Sequence, residues 1–180
     1  MASIITATTT SGLTQSADNS GVLQLASGTG NLVTVPSVTG TAMVSGNQPA
    51  FYAYLSSAQS VTSNVATKLV FNSEVFDTNS NYSTVNYRFT PTVAGYYQVN
   101  ALVNGATATT NTQIYLYKNG SRITYMQTNS SNSSATLSAL MQMNGSTDYL
   151  EVYVVLTGTT PIVQDGQDFT YFSGCLVRTS

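Results

Sequence analysis

The chain has 180 residues, of which 42% are hydrophobic and 7% charged, with five basic residues, a net charge of −2 and no histidine. So small a charge, with basic residues spread along the sequence and expected to form no patch, argues against nucleic acid or an anionic membrane as partner. Without histidine, Ser-His-Asp and Cys-His catalytic systems are excluded, and we expect no enzyme. The apolar content is too high for a disordered chain.

Residues 1–48 differ from the rest of the chain because they contain no aromatic residue. The runs SIITATTT, GVLQLAS and NLVTVPSVTG, separated by the turn signals DNSG and SGTGN, predict short strands. Burying a Val or Leu contributes about 1.5–3 kcal/mol, whereas ordering the backbone costs about 1–2 kcal/mol for each residue. We therefore predict an extended or β-structured arm that is stable only against another surface. Its first residues show no signal peptide pattern, so we expect synthesis in the cytoplasm.

Residues 49–180 are predicted to form one all-β domain. Aromatic and β-branched runs recur there at roughly the 8–12-residue spacing of a sandwich or barrel. Lys118–Gly120, with the sequence KNG, predicts a tight hairpin turn because Asn and Gly both tolerate positive φ. The predicted strands are AFYAYLS, ATKLVFNSEVF, YRFTP, GYYQVNALVNG, TQIYLYKNG, RITYMQT, ATLSALMQM, DYLEVYVVLTG and FTYFSGCLVR.

Alternation within the run TQIYLYK predicts how one strand divides its side chains. Ile114 and Leu116 are expected to face one way, with Tyr115 and Tyr117 facing the other. Tyrosine rings suit interfaces in which one end is buried and the hydroxyl finds a partner, and they suit ordinary core packing equally well. The sequence leaves both roles open for these two tyrosines.

Five segments of this domain resemble motifs of the C1q/tumour-necrosis-factor-like family: PAFYAYL, YRFTPTVAGYYQV, IYLYKNGSRI, ATLSALMQMNGSTDYLEVYV and YFSGCLV. The resemblance implies a ten-stranded jelly roll of two sheets that assembles as a homotrimer, with Gly95 allowing a turn between strands. The turn Asn144-Gly145-Ser146 departs from the family's usual Gly-Asp. The residues that the resemblance places in the core or at the trimer contact are Phe51, Phe89, Pro91, Gly95, Tyr96, Tyr97, Tyr115, Tyr117, Phe172 and Gly174.

Candidate sites for metals or disulfides are few. The single cysteine, Cys175, excludes an internal disulfide, and we expect it to be buried as a small hydrophobic residue. Asp165 and Asp168 in QDGQD are two carboxylates in a glycine turn, an arrangement that suits Ca²⁺. Related trimers bind calcium near their threefold axis in some cases. A solvated turn explains the pair equally simply, and no cofactor is expected.

The serine-rich segment Ser130–Ser138 is predicted to be an exposed polar loop. One hypothesis makes it a contact for host glycans, with Tyr125 and Tyr82 stacking on sugar rings. The simpler interpretation is an uncharged, solvated loop. The Asn-x-Ser/Thr sequons are attributed to chance in a chain so rich in Ser and Thr, and they begin at Asn81, Asn119, Asn129, Asn132 and Asn144.

One segment of the arm has the sequence TTTSGLTQSADNSGVLQLASGTG. It is similar to segments of structural proteins of tailed bacteriophages, particularly those of marine and cyanobacterial hosts. The hypothesis that follows is a virion protein, a homotrimeric knob at 49–180 that decorates or cements the capsid. Its arm, residues 1–48, would bind the major capsid protein or another virion protein. Decoration is favoured over a fibre because 48 residues hardly supply both a shaft and a tail-attachment domain. The alternative is a receptor-binding tip or short fibre whose loops contact host glycans. A bacterial adhesion module is the third possibility.

Overall fold

The computed structural model describes residues 23–26, 32–35, 48–106 and 109–180, and every regular element in them is a β-strand. The all-β prediction is therefore confirmed. No helix in these ranges is long and apolar enough to cross a membrane. The strands are β1 (Leu23–Ala26), β2 (Leu32–Val35), β3 (Ala50–Tyr54), β4 (Gln59–Ser60), β5 (Thr67–Lys68), β6 (Ser73–Asp77), β7 (Tyr82–Ser83), β8 (Arg88–Phe89), β9 (Gly95–Asn104), β10 (Thr109–Lys118), β11 (Ser121–Thr128), β12 (Ser134–Met143), β13 (Leu150–Gly158), β14 (Ile162–Val163) and β15 (Tyr171–Thr179).

The chain divides into two units, residues 1–41 and residues 42–180. In the first unit β1 and β2 pair in antiparallel fashion, with Leu23 opposite Val35. These two strands fall within the predicted runs GVLQLAS and NLVTVPSVTG. The predicted strand SIITATTT lies outside the described residues.

The second unit is built on two antiparallel sheets. One has five strands in the order β12-β9-β15-β3-β6. The other has six, in the order β11-β10-β13-β8-β7, with β5 paired to the free side of β13. The short strands β4 and β14 form a separate pair. Each of the nine runs predicted within 49–180 contains one or two of the observed strands.

Alternation along the strands separates a core side from an outward side. In β9 the residues from Gly95 to Val103 are buried at every second position, and β12 repeats this pattern. Ile114 and Leu116 lie in the core, as predicted, while Tyr115 lies on the opposite side of β10. The two-residue repeat of side chains on each strand thus gives one sandwich core with two outward faces.

Phe51 is the centre of an aromatic cluster that joins the two sheets. Its ring on β3 stacks on Phe89 of β8 with centroids 4.2 Å apart, and meets Phe172 of β15 edge-on at 4.9 Å. Tyr82 also stacks on Phe51, at 5.4 Å, and Tyr97 meets Phe89 edge-on at 5.4 Å. Such pairs contribute about 0.5–1.5 kcal/mol each beyond the burial of their surface. The cluster therefore holds β3, β9 and β15 against β7 and β8.

Gly174 leaves the space that the Phe51 ring occupies. It pairs with Phe51 on one side and with Val99 on the other. A Cβ at this position would lie 3.0 Å from Phe51 Cε1 and 2.9 Å from Val99 Cγ1. The glycine in YFSG is therefore required by side-chain packing across the sheet.

Three local predictions are wrong. Cys175 is exposed, because Phe172 and Leu176 take the inward positions of β15 and period-two alternation turns Cys175 outward. Tyr82 is only 6% exposed and packs in the aromatic cluster, so its ring is not available to a sugar. The serine-rich loop ends at Ser133, since β12 already begins at the next residue.

The hairpin turn at KNG is confirmed. Asn119 and Gly120 connect β10 to β11 with φ values of 52° and 77°. Two consecutive residues with positive φ are typical of a type I′ turn, whose twist matches that of the flanking strands.

We predict that Gly174→Ala lowers the free energy of unfolding by about 1–3 kcal/mol, because the new methyl group overpacks the core beside Phe51. Phe51→Leu alone is also destabilising, but it creates room for that methyl group. The double variant should therefore lose less than the sum of the two single losses, by at least about 0.5 kcal/mol. Urea unfolding measures all three variants.

The matched control for this cycle is Ser173→Ala, one residue earlier on the same strand but on its outward side. It should change stability by less than about 0.5 kcal/mol. Strict additivity of the Gly174 and Phe51 substitutions would contradict the proposed steric coupling.

Deprotonation of the Tyr97 hydroxyl is expected to lower the free energy of unfolding at alkaline pH. This hydroxyl donates a hydrogen bond to Val93 O at 2.7 Å, and burial raises its pKa from 10.0 to about 12. Between those two values the unfolded chain loses the proton while the folded chain keeps it, so stability falls as pH rises. Tyr97→Phe should therefore flatten the decline of unfolding free energy between pH 10 and 12, measured by urea titration at each pH. An unchanged slope would contradict this assignment.

Candidate functional site

Four strands of the five-stranded sheet are poor in charge. The strands β12, β9, β15 and β3 carry one charged residue between them, Arg178, while the edge strand β6 adds Glu74 and Asp77. The six-stranded sheet carries five: Lys68, Arg88, Lys118, Arg122 and Glu151. Desolvating an unpaired charge costs several kcal/mol, so these four strands are better suited to being covered by protein.

We call the outward side of β12, β9, β15 and β3 the charge-poor face. Large apolar side chains remain uncovered on it: Leu140 is 60% exposed and Val177 56%. Tyr52 stacks on Tyr171 with ring centroids 5.0 Å apart and lies beside Phe76, which is 47% exposed. The four strands thus combine apolar and aromatic groups without a carboxylate of their own, while Asp168 lies near Tyr52 at the margin and β6 carries Glu74 and Asp77.

The middle of the charge-poor face is neutral and hydrogen-bonded. Gln98 Nε2 donates to Ser138 Oγ at 2.8 Å, and that hydroxyl donates to Asn100 Oδ1 at 2.9 Å. At one margin the Tyr52 hydroxyl donates to Gln167 O at 2.5 Å. Since these polar groups already pair with one another, covering them would leave few without a partner.

We call the outward side of β11, β10, β13 and β8 the tyrosine face. Strand register places Tyr125, Tyr115, Tyr153 and Lys68 side by side in one row across β11, β10, β13 and β5. Tyr115 and Tyr125 stack with centroids 5.6 Å apart. Tyr125 is 50% exposed and Tyr115 8%, so the row is open at the edge strand β11.

A second row on the tyrosine face consists of Arg122, Tyr117 and Glu151. Tyr117 packs against Tyr153 of the first row at 4.2 Å. Arg122 lies 5.5 Å from the centre of the Tyr115 ring.

Beside this second row, Arg88 lies 4.6 Å above the Tyr149 ring. Glu151 forms an ion pair with Lys68, whose ammonium group also donates to Asn86 O at 2.6 Å. The expectation that the basic residues form no patch is therefore wrong: Lys68, Arg88 and Arg122 share one face.

Burial affects the phenolic groups of the tyrosine face. It raises the pKa of Tyr115, and together with the neighbouring carboxylate of Glu151 it raises the pKa of Tyr153. Both hydroxyl groups stay protonated at neutral pH and remain hydrogen-bond donors.

The signature residues predicted from the sequence fall into three places. Phe51, Phe89, Tyr97 and Phe172 lie in the core cluster, while Pro91 and Gly95 are buried at the start of β9 or just before it. Tyr96 lies on the charge-poor face with Arg178 above its ring at 5.7 Å. Tyr115 and Tyr117 lie on the tyrosine face.

The role expected for Gly95 needs correction. It opens a strand and has no positive φ, so it is not a turn residue. A Cβ there would lie 2.4 Å from Arg178 O and 2.6 Å from Leu176 Cδ1. Its small size therefore allows β15 to approach.

Asp165 and Asp168 are both exposed, in the segment between β14 and β15. Gly166 between them has a φ of 112°, as expected for a tight turn. Within the described ranges no group of three or more His, Cys, Asp or Glu residues could hold a metal ion. Among the described residues, no third carboxylate therefore joins Asp165 and Asp168 as a calcium ligand.

Three sequon asparagines have structural roles in turns. Asn81 is 4% exposed and donates to Asn79 O at 2.8 Å. Asn119 accepts a hydrogen bond from Tyr149 N, and Asn144 Oδ1 accepts three from the backbone of the turn that follows it. The other two are exposed beside β11 and β12: Asn129 and Asn132.

The sequence analysis missed the tyrosine face because its rows join residues from four strands. Tyr125, Tyr115 and Tyr153 become neighbours only through cross-strand register. The alternation that turned Tyr115 and Tyr117 outward was visible, but the cations beside them were not. The one available signal in the sequence was that RITYMQT and LEVYVV each carry a tyrosine within a predicted strand.

Comparison with known proteins agrees with this architecture. The sequence profile of the C1q domain matches residues 50–177. The globular domain of zebrafish complement 1qA superposes with a TM-score of 0.56 at 14% identity, covering 74% of this chain and 99% of that one. Murine APRIL gives 0.59 at 9% identity, covering 72% and 99% of the two chains. Vertex protein P5 of PRD1 gives 0.55 at 15% identity, covering 72% and 97%.

Among curated protein sequences none matches this chain. At identities of 9% to 15% the structural similarities establish the fold and carry no residue-level function.

Proposed function

The chain belongs to the C1q domain family, and from that premise we propose that it is a virion structural protein of a tailed bacteriophage. In this proposal three chains associate through the charge-poor face to form a homotrimeric knob. The knob decorates and cements the capsid, and residues 1–48 attach it to the major capsid protein or another virion protein. No catalytic step is assigned to it.

The charge-poor face is the observation that carries this proposal. Leu140 and Val177 are uncovered apolar side chains on a face whose four strands, β12, β9, β15 and β3, hold one charged residue. Exposed apolar groups of this size on a regular surface are typical of protein–protein contacts. Domains of the C1q and tumour necrosis factor type commonly form trimers, which supports three copies as the stoichiometry.

The virion location is supported by two further points. A phage vertex protein shares the fold, at low identity. The chain has few charges on a surface rich in hydroxyls and amides, which suits dense packing against neighbouring subunits because few ions need desolvation.

A second candidate function is a receptor-binding tip or short fibre. The half-exposed Tyr125 on the edge strand favours it, because the serine-rich loop that follows β11 lies close by in the chain. Loops at the end of a rigid sandwich often carry binding functions. The two candidates differ in the part of the chain that function requires. A cement protein requires the arm, whereas a receptor-binding tip requires the loop.

Leu140→Lys should abolish self-association, because it places a charge within the proposed contact in place of an exposed apolar side chain. Burying one unpaired ammonium group costs several kcal/mol, which exceeds what a small contact can offset. Light scattering after size-exclusion chromatography should give the mass of three chains for the wild type and of one for the variant.

Val85→Lys is the matched control, since Val85 is 80% exposed and lies in the turn that joins β7 and β8 of the other sheet. It should leave the mass unchanged. The single thiol of Cys175 gives a second measurement: its labelling should be slow in the assembled protein and fast in Leu140→Lys. A wild-type mass of one chain would contradict the proposal.

Deleting residues 1–30 should leave the trimer intact but prevent it from sedimenting with capsids. Quantitative mass spectrometry of purified particles should find this chain in numbers comparable with the major shell protein. A handful of copies for each particle, together with loss of host attachment on substituting residues 129–133, would instead support the receptor-binding tip.

A further inference from the structure

We propose that the tyrosine face is a binding site for an acidic polysaccharide, with sugar rings against the half-exposed Tyr125 and the partly buried Tyr117 and Tyr153, and with the carboxylate or sulfate groups of the sugars on Arg88 and Arg122. The site goes beyond the virion role proposed above. All its groups belong to a single chain, so it does not depend on trimer formation.

Charge determines the class of ligand. The face carries three cations, Lys68, Arg88 and Arg122, but one anion, Glu151, in a chain whose net charge is −2. Glu151 is already paired with Lys68. Within the described ranges neither arginine forms an ion pair. Two guanidinium groups therefore remain available to an anion from outside.

The position of each guanidinium group favours planar anions. Arg88 is centred 4.6 Å from the Tyr149 ring, and Arg122 is 5.5 Å from Tyr115 and 5.8 Å from Tyr125. Packing one face of the group on a ring restricts its motion while leaving N–H donors at its edge. Such a fork can bind both oxygens of a carboxylate or sulfate.

The groups between the two arginines favour a sugar. Tyr117 and Tyr153 lie together at 4.2 Å in the middle of the face, with Tyr125 at its open edge. Next to the tyrosine row lies an amide row, where Gln127 pairs with Gln113 across β10 and β11. Rings with phenolic hydroxyls and amides offer apolar contact together with donors and acceptors, which suits a ligand covered with hydroxyl groups.

The make-up of the tyrosine face is less suited to a protein partner. Among the outward positions of β10 and β13 from Gln113 to Tyr117 and from Glu151 to Val155, Val155 is the only aliphatic residue. Protein interfaces have an apolar centre from which water is excluded and a polar rim. Here the centre is phenolic and charged, which favours the polysaccharide. An acidic peptide is the alternative ligand that the test must distinguish from it.

The test uses the full chain and three polymers: alginate as a polyuronate, dextran as a neutral polysaccharide, and poly-glutamate as an acidic peptide. Binding is measured by isothermal titration at two salt concentrations. We expect binding to alginate that weakens as salt rises, because exposed charges are screened within about 10 Å at 0.1 M. Dextran and poly-glutamate should bind at least tenfold more weakly.

The double variant Arg88→Gln/Arg122→Gln should lose about tenfold in alginate affinity, at about threefold for each exposed charge contact. Tyr125→Ala, which removes an exposed ring, should lose severalfold. The control Arg178→Gln removes one charge from the opposite sheet and should keep the wild-type affinity. Circular dichroism and light scattering verify fold and mass for each variant.

Three results would overturn the proposal: no binding to alginate, equal loss in Arg178→Gln, or poly-glutamate bound as tightly as alginate. The last would identify the face as a site for acidic proteins. Failure of the trimer is detected separately, as a wild-type mass of one chain, and leaves the alginate result independent.

Discussion

The stack of Phe51 on Phe89 is the contact on which the rest of the domain depends, because it connects one sheet to the other at the centre of the sandwich. Phe172 and Tyr82 pack around the same ring, so two further strands, β15 and β7, depend on its position. Gly174 must remain without a side chain for this ring to fit. The Pro-Ala-Phe start, the Phe-Ser-Gly end and the central Tyr-Arg-Phe motif are distant in sequence, yet they meet at this one packing arrangement.

A core sealed by aromatic rings leaves the two outward faces free to differ in chemistry. Strands of the five-stranded sheet alternate core residues with serine, asparagine and tyrosine, while the six-stranded sheet places cations among its tyrosines. Only one charged residue, Arg178, occurs on the four strands of the charge-poor face. This difference cannot come from core packing, since outward residues do not contribute to it. It reflects separate requirements on each face.

Much of the fold was predictable because its signals are local. Alternation located the strands, and Asn119-Gly120 identified the hairpin from the φ preferences of two residues. Cys175 was misplaced because its strand was treated as uniformly apolar, although the inward positions of Phe172 and Leu176 already assigned it outward. The tyrosine face could not be predicted in the same way. Lys68 and Tyr125 are separated by 57 positions in the chain, and only the register of β5, β13, β10 and β11 brings them into one row.

The two faces have opposite relations to water, and this bears on how the proposed assembly would be arranged. A cation stacked on a tyrosine ring retains part of its hydration, so covering Arg88 or Arg122 with protein would carry a desolvation cost that covering Leu140 does not. Contact between copies is therefore favoured on the charge-poor face, where uncovered apolar surface also provides the driving force. In such an assembly the tyrosine face remains directed to solvent. A particle decorated with these knobs would then present rows of tyrosine and arginine outward, so that one fold serves self-association on one face and recognition on the other.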